Sequence, residues 1–309
     1  MNTNFYKKSG IIIMNIARDF FAMKVGDRIS TIFEYTEKFS VSRGIVQNAL
    51  ARLEAEGCIA IEKKGVKGTF LTEIDYKKLY PYTNWGSVTG TMPVPLNPFL
   101  SSLTTAVCEQ MGRAPFPFSF AYVTGSEKRM EAMKNMMYDF MIVSQSSAQK
   151  YLDEYDFLSV CAVLDTCIYS PEYVIYFINP EKTEIEDGMR VGIDPTCLDQ
   201  AKLTKILCQG KRVSFVEFPY IAIEDLTRER KVDCVVYRIL DWCNDDARLG
   251  IVRLGDVPGF SEKETKTPVI LTNKENYGID RLLQQYMNPE EMSQIQTEVL
   301  FGKRAVKFY

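Results

Sequence analysis

The sequence predicts an α/β protein in two parts: a small N-terminal domain of helices and one β-hairpin over residues 1–78, then a larger two-lobed α/β domain over residues 79–309. Three observations lead to this prediction. The chain has 309 residues, more than one compact domain usually holds. Before residue 75, apolar residues recur mostly at helical spacing. Beyond residue 85, short apolar runs alternate with helical stretches, which is typical of α/β domains.

The stretch Val41 to Gly57 is predicted to form a helix with one buried face and one unusual exposed face. Ser40 or Ser42 is suited to cap its start, and Gly57 is suited to end it. The buried face carries the i, i+3, i+4, i+7 apolar pattern of Val46, Ala49, Leu50 and Leu53. The opposite face combines small residues with amides, which can pair with an adenine edge, and consists of Gly44, Gln47, Asn48 and Ala51, flanked by Arg43.

A short hairpin with a basic tip is predicted directly after this helix. Its strands are Ile59 to Glu62 and Thr69 to Leu71, and Lys63 to Gly68 form the turn. A recognition helix followed by a basic β-wing is an arrangement that binds duplex DNA. The candidate DNA-binding residues are Ser42, Arg43, Gly44, Gln47, Asn48, Lys63, Lys64 and Lys67.

Two further helices are predicted to precede the recognition helix. The first carries an apolar stripe from Ile12 to Phe21 and is broken at Gly26-Asp27. The second runs near Thr31 to Lys38. After the hairpin, Glu73 to Pro81 is predicted to be a linker, or a short helix stopped by Pro81.

The segment from about Ile11 to Asp75 resembles the GntR-like winged helix-turn-helix. The matching sequence segments are Val41-Ser42-Arg43, Ala49-Leu50 with Leu53, Glu56-Gly57, and Gly68-Thr69-Phe70. The resemblance implies that Arg43 contacts the operator and that the wing tip, Lys64 to Gly68, lies in or beside the minor groove. Gln47 and Ile32-Phe33 stand where many members of the family carry arginine. The resemblance therefore does not predict that this chain binds the family's usual operator sequence.

Charge and composition narrow the possible functions. Residues 1–75 hold 11 Lys+Arg and 9 Asp+Glu, a net charge of +2, and the remaining 26 and 31 give −5. This division suits local DNA contact rather than general coating of a polyanion. The chain has no histidine, which excludes Ser-His and Cys-His nucleophile pairs and HExxH metal sites. The eight cysteines form no CxxC and indicate a reducing cytoplasm. No secretory signal or membrane span is predicted.

Beyond residue 85, strands spaced by helices predict parallel sheets with helices on both faces. The predicted strands are 87–92, 118–123, 139–143, 158–164, 173–178, 190–193, 212–216, 234–237, 251–254 and 269–272. The predicted helices are 98–111, 127–137, 146–152, 198–207, 221–230, 278–286 and 289–301.

This part resembles the type 2 periplasmic-binding-protein fold used for effector sensing in regulators. The segments that carry the resemblance are Tyr138 to Ser144 and Lys231 to Tyr237. Each has an aspartate just before a buried strand and a polar residue at the end of that strand. A winged helix joined to such a domain is similar to the YhfZ-type transcriptional regulators. The resemblance implies that the chain crosses twice between lobes, with lobe one at about 85–168 plus 252–309 and lobe two at about 169–251.

Ligands of open α/β sheets bind beyond the carboxyl ends of strands, often at helix N-termini. Hydroxyls there favour an anionic group, and an arginine can clamp it with two hydrogen bonds. This rule selects as candidate ligand-binding residues Thr91, Pro93, Ser144, Gln145, Ser146, Asp194, Thr196, Tyr237 and Arg238. Possible aromatic lining residues are Trp85, Tyr169, Tyr173 and Trp242.

The favoured function is therefore a cytoplasmic, homodimeric transcription regulator that binds a double-stranded DNA operator and a small anionic effector. It is not expected to be an enzyme or to need a cofactor or metal. Two alternatives remain open. The large domain of a repressor can serve only to dimerise it, or the chain can be a small-molecule enzyme or binding protein with an N-terminal interaction module.

Overall fold

A computed structural model describes residues 8–239 and 249–308, without the side chains of residues 224 and 226. The chain forms two compact units. The first contains the residues up to Val88 together with Gln110–Ser119 and Lys274–Met287. The second contains Thr89–Glu109, Phe120–Asn273 and the residues from Asn288 onwards. Two segments that are distant in sequence from the N-terminal domain therefore fold with it.

The predicted helix-turn-helix is present in the first unit, as helices α1 (Lys8–Phe21), α2 (Ile32–Phe39) and α3 (Arg43–Ala55). Helix α2 begins with a capping box, in which the Thr31 hydroxyl accepts from the Glu34 N–H and the Glu34 carboxylate accepts from the Thr31 N–H. Ser40 is the left-handed residue that ends α2 rather than a cap of α3.

Helix α3 has the predicted buried face, formed by Val46, Ala49, Leu50 and Leu53. Ser42 occupies its N-cap position, although its side chain makes no capping hydrogen bond. At the other end, Gly57 has φ of +67°. The Gly57 and Cys58 N–H groups donate to the carbonyls of Glu54 and Leu53, at 2.9 Å each. This Schellman motif ends the helix at the predicted glycine.

The predicted wing is an antiparallel hairpin of β1 (Ile59–Lys63) and β2 (Thr69–Ile74), joined by a 3₁₀ turn at Gly65–Lys67. Gly68 has φ of +102°, and a Cβ atom there would lie 2.7 Å from the Arg28 Nε atom. The positive φ favours glycine at this corner, and a larger residue would also have to displace the Arg28 side chain.

Helix α4 (Tyr76–Thr83) contains Pro81, so the expectation that Pro81 stops a helix is wrong. Asp75 caps its first turn by accepting from the N–H groups of Lys77 and Lys78. The helix instead ends at Asn84, which is left-handed with φ of +52°. In so short a helix, Pro81 removes one hydrogen bond without ending it.

Helix α1 packs in the interior of the first unit, which also contains α11 (Ile279–Tyr286). The Arg18 Nε atom donates to the Thr83 carbonyl at 2.8 Å, and its guanidinium lies 5.1 Å from the Trp85 ring centroid. Phe21 makes edge contacts with Tyr76, Tyr80 and Trp85 and packs near Phe116. The N-terminal domain therefore shares one aromatic core with residues 110–119.

The remaining strands form two five-stranded sheets, ordered β4-β3-β5-β12-β6 and β11-β7-β10-β8-β9. We call the regions built on them the first and second lobe. The strands are β3 (Val88–Met92), β4 (Phe118–Tyr122), β5 (Phe140–Ser144), β6 (Leu158–Val163), β7 (Tyr173–Phe177), β8 (Arg190–Ile193), β9 (Ser214–Glu217), β10 (Cys234–Arg238), β11 (Gly250–Arg253) and β12 (Pro268–Asn273).

The sheets are mixed, so the prediction of parallel sheets is wrong. Strand β12 is antiparallel to β5 and β6, and β7 is antiparallel to β10 and β11. Parallel pairing is found between β3 and β5, and between β8 and both β9 and β10. A parallel neighbour needs a crossover that returns the chain to the same sheet end. Since β7 and β12 follow connections from one sheet to the other, they lack such a crossover.

The helices of this part are α5 (Pro98–Met111), α6 (Ser126–Lys134), α7 (Gln145–Glu154), α8 (Leu198–Leu207), α9 (Ile223–Arg228), α10 (Glu262–Lys266) and α12 (Pro289–Leu300). Helices α5 and α8 and strand β8 have the predicted bounds. Helix α10 was not predicted, because its sequence, EKETK, has no apolar stripe. Within the described residues, no helix is long and apolar enough to cross a bilayer.

Candidate functional site

The exposed face of α3 is available for contact with DNA. Ser42, Arg43, Gly44, Gln47 and Asn48 are all exposed. Among the described residues, no ion pair holds the Arg43 guanidinium. A neutral face with one cation at its N-terminal end matches the end of a recognition helix that approaches base edges.

The wing adds three exposed cations, Lys63, Lys64 and Lys67. The Lys64 ammonium is 3.0 Å from a Glu62 carboxylate oxygen and 5.5 Å from the Phe70 ring centroid. Its charge is therefore partly compensated, so Lys63 and Lys67 are the better candidates for phosphate contacts.

A cavity of about 100 Å³ lies in the second unit, between the two lobes. Its lining comes from strand ends and helix starts of both lobes, as the rule for open sheets predicts. The lobes touch beside it, where the Ser126 N–H at the start of α6 donates to the Thr196 carbonyl at 3.0 Å. The lining residues are Pro93, Val94, Leu96, Asn97, Leu100, Thr124, Gly125, Ser126, Arg129, Ser144, Ser147, Tyr169, Ser170, Tyr173, Cys197, Leu198, Asp199, Tyr220, Ile221, Tyr237 and Arg238.

Arg238, the last residue of β10, places a buried guanidinium in this lining. Its two terminal nitrogens donate to the Pro171 carbonyl at 2.6 Å and the Thr265 carbonyl at 3.2 Å. The guanidinium carbon lies 3.6 Å from the Tyr173 ring centroid. These neutral groups orient the cation without neutralising it.

Arg129 on α6 is a second buried arginine in the lining. One terminal nitrogen donates to the Val123 carbonyl at 2.7 Å. The buried Nε atom has no hydrogen-bond partner among the described residues. An unpaired donor on a buried cation is costly unless a ligand accepts from it.

Asp199, in the first turn of α8, is the buried carboxylate of the lining. Burial raises the pKa of the Asp199 carboxyl, while hydrogen bonds from serines on and beside α7 and the charge of Arg238 oppose this rise. The Ser147 hydroxyl is 3.4 Å from its Oδ1 atom. Among the described residues, two arginines and one aspartate give the lining a net positive charge.

Cys197 also lines the cavity. Burial, with the nearby Asp199 carboxylate, raises the pKa of its thiol to about 12. The thiol is therefore protonated at neutral pH, which is unsuited to nucleophilic chemistry.

Of the predicted ligand-binding residues, Pro93, Ser144, Tyr237 and Arg238 line the cavity, as do the predicted aromatic residues Tyr169 and Tyr173. The other candidates, Thr91, Gln145, Ser146, Asp194 and Thr196, lie outside the lining. Trp85 packs in the first unit, and Trp242 falls outside the described residues.

Several of these other candidates shape the frame around the cavity. Asp194 accepts from the Thr196 N–H and hydroxyl and from the Tyr220 N–H, so it holds two loops in place. Thr91 is fully buried in β3. Whether any of these residues contacts an effector stays a prediction.

Sequence reasoning missed Arg129 and Asp199. Asp199 follows β8 in the first turn of a predicted helix, the same signal that selected Asp194, so the rule was applied too narrowly. Arg129 lies within α6, and nothing in its local pattern distinguishes it from an exposed helical arginine. Among the described residues, no group of three or more Cys, Asp or Glu side chains is arranged to hold a metal ion.

Comparison with known proteins agrees with this two-part arrangement. Residues 75–308 match the family model of the YhfZ C-terminal domain. The chain is 30% identical to uncharacterized protein YhfZ of Escherichia coli K12 over 98% of this chain and 99% of that protein. The chain belongs to the YhfZ family. Residues 24–71 also match a helix-turn-helix domain model, which indicates a DNA-binding regulator.

One solved structure of the same family shows the same fold. The crystal structure of YhfZ from Shigella flexneri aligns with a TM-score of 0.60 at 24% identity, over 75% of this chain and 97% of that one. An ancestral arginine-binding protein bound to arginine aligns with a TM-score of 0.48 at 15% identity, over 71% and 96%. This YhfZ-family chain therefore joins a helix-turn-helix domain to a two-lobed α/β domain.

Proposed function

We propose that this chain is a homodimeric, cytoplasmic transcription regulator that binds a double-stranded DNA operator and whose interlobe cavity binds a small anionic metabolite. The observation that carries the effector part is the pair of buried arginines in the cavity lining, one with an unpaired Nε atom. No catalytic residue or cofactor is part of the proposal.

The charge of the lining supports an anion. Arg129 and Arg238 are both more than nine-tenths buried, and Asp199 is the carboxylate facing them in the lining. Burying a cation without a compensating negative charge is unfavourable. A bound anion supplies that charge, which favours its binding. Since the described residues of the lining carry one excess positive charge, the best match is a monoanion.

The volume of the cavity supports a small ligand. A cavity needs a volume of roughly 10–15 Å³ to hold one water molecule. The cavity of about 100 Å³ therefore holds on the order of eight non-hydrogen atoms.

The first unit supports DNA binding. The exposed face of α3 offers one arginine and two amides, and the wing offers three lysines. One short recognition helix reads only a half-site, so two copies are needed for a pseudo-palindromic operator. Coupling requires that the metabolite favours one arrangement of the protein over another.

The effector part is tested by thermal unfolding of the full chain in the presence of small carboxylates and phosphate esters. A ligand that binds the native state raises the melting temperature. Arg129→Met should abolish this rise, whereas Arg212→Met, at a solvent-exposed arginine of the second lobe, should leave it unchanged. If both variants lose the rise in melting temperature, the proposed anion site at Arg129 is wrong.

The DNA part is tested by selecting bound duplexes from a random pool with the full chain. Recovery of a motif with two inverted half-sites is expected. If the pool yields no enriched motif, the proposed operator binding is wrong.

A second function is favoured by one observation. Both terminal nitrogens of Arg238 already donate to protein carbonyls, and the lobes touch directly at Ser126 and Thr196. This arrangement suits a repressor whose large domain only dimerises. If no small anion raises the melting temperature while the motif is still selected, this second function is the correct one.

A further inference from the structure

The two ends of the interlobe cavity differ sharply in chemistry. The charged residues of its lining are the most buried: Arg129 is 2% exposed, Arg238 4% and Asp199 7%. Leu96 and Ile221 also line the cavity but are 53% and 52% exposed. The charged groups therefore form its inner end, and these two aliphatic side chains lie at its rim.

The two rim residues come from opposite lobes. Leu96 lies in the loop between β3 and α5, and Ile221 lies in the 3₁₀ turn at Tyr220–Ala222 after β9. Each lobe thus contributes one large, exposed aliphatic side chain to the same opening. Lone exposed apolar residues need no explanation, but two that line the same cavity from opposite lobes are a candidate contact surface.

The loop that carries Leu96 is held in place by hydrogen bonds. The Leu96 N–H donates to the Val94 carbonyl at 2.9 Å, and the Ser101 hydroxyl donates to the Pro95 carbonyl at 3.1 Å. The Asn97 side chain caps α5 by accepting from the Leu100 N–H at 2.9 Å. Leu96 is therefore presented by a structured loop.

The turn that carries Ile221 is equally constrained. The Tyr220 N–H donates to Asp194 at 2.8 Å, and the Tyr237 hydroxyl donates to the Tyr220 carbonyl at 2.7 Å. The Tyr220 and Tyr237 rings stack with centroids 4.1 Å apart. A preorganised apolar rim loses little entropy when a ligand covers it.

We propose that the effector is amphipathic, with a monoanionic headgroup at the Arg129–Arg238 end and an apolar tail that passes between Leu96 and Ile221. Pro93 and Val94 continue the apolar lining beside the rim. This inference rests on the proposed effector function and adds the class of ligand. It predicts that affinity depends on tail length as well as on charge.

The test measures binding to the full chain by calorimetry with two homologous series, straight-chain carboxylates and monoalkyl phosphates of one to six carbons. Each methylene that leaves water on binding should tighten the dissociation constant about fourfold. The gain should stop once the tail extends beyond the rim. The series on the unaltered protein already decides the question, even if a rim variant fails to fold.

Rim variants identify the surface. Leu96→Ser and Ile221→Ser should flatten the dependence of affinity on tail length. Met137→Ser is the matched control, because Met137 is 64% exposed in the same unit but does not line the cavity.

The outcomes separate this inference from the proposed function. If short anions bind and affinity does not rise with tail length, the amphipathic ligand is wrong and the anion site stands. If affinity rises with length but the rim variants behave like Met137→Ser, the tail does not cross the rim and the inference is again wrong. If no anion of either series binds, both proposals fail.

Discussion

Asp19 and Arg281, which are 262 residues apart in sequence, form an ion pair of 3.0 Å within the first unit. The Asp19 carboxylate is 6% exposed and also pairs with the Lys38 ammonium at 2.9 Å, and the Tyr277 hydroxyl donates to it. Asp19 therefore joins α1 and α2 of the DNA-binding domain to the segment Lys274–Met287. That segment lies within the range matched by the YhfZ C-terminal domain model.

Removing this carboxylate should destabilise the protein. Asp19→Asn leaves Arg281 and Lys38 without a charged partner, but both cations are partly exposed. The expected loss is about 1–3 kcal/mol, below the value for a fully buried pair. Denaturant unfolding of the full chain measures it. Asp225→Asn, which breaks an exposed pair with Arg228, is the control and should cost less than about 1 kcal/mol.

Asp199→Asn should stabilise the ligand-free protein at neutral pH. Burial raises the pKa of the Asp199 carboxyl above its ordinary value of 3.8, so the folded state favours the protonated form. The stability linked to this group is therefore fully present below the unfolded pKa and is lost as pH rises through the folded pKa. The advantage of the variant should shrink as the pH is lowered toward 4.

Asp187→Asn is the matched control of opposite sign. The Arg212 backbone and side chain donate to Asp187 and lower its pKa. The stability that Asp187 contributes is present above the pKa of its carboxyl in the unfolded chain. It is lost as pH falls through the lower pKa of the folded protein. Unfolding measured from pH 4 to 8 should show that Asp187→Asn does not gain stability at neutral pH. A gain in both variants would contradict the assignment to burial.

Gly125→Ala should disturb the contact between the lobes. A Cβ atom there would lie 2.7 Å from the Thr196 Oγ1 atom, next to the Ser126–Thr196 hydrogen bond. Gly188→Ala is the control, because Gly188 has a similar φ, +86° against +82°, but nothing within 4 Å. Both variants bear a strain of roughly 1–2 kcal/mol from positive φ. Only Gly125→Ala should also increase the radius of gyration in solution scattering and weaken anion binding.

Arg43→Ala and Lys67→Ala should affect DNA binding in different ways. If Arg43 contacts a base, its loss costs about 1–3 kcal/mol and relaxes specificity at one position. Loss of a phosphate contact at Lys67 weakens binding to all sequences and lowers the salt slope by about 1. Binding to the selected duplex across a salt series measures both. If Arg43→Ala leaves DNA binding unchanged, the recognition surface lies elsewhere. Lys202→Ala serves as the control.

Elements governed by near neighbours were predictable. Helices α5 and α8 have the predicted bounds, and Gly57 ends α3 as expected, because apolar spacing and capping act within a few residues. Strand direction was not predictable. The sequence of β12 is the same apolar run whether it lies parallel or antiparallel to β5, and its direction depends on how the chain returns from the second lobe.

The winged helix-turn-helix and the alternation of strands and helices could be inferred from the sequence, since both follow from periodicity, caps and turns along the chain. Which charged residues share the cavity could be known only from the packing of the chain. Arg129, Asp199 and Arg238 lie on α6, α8 and β10, and their meeting depends on the packing of two lobes. The same is true of Asp19 and Arg281, because the buried Asp19 carboxylate needs a charged partner and the two residues are 262 positions apart in sequence.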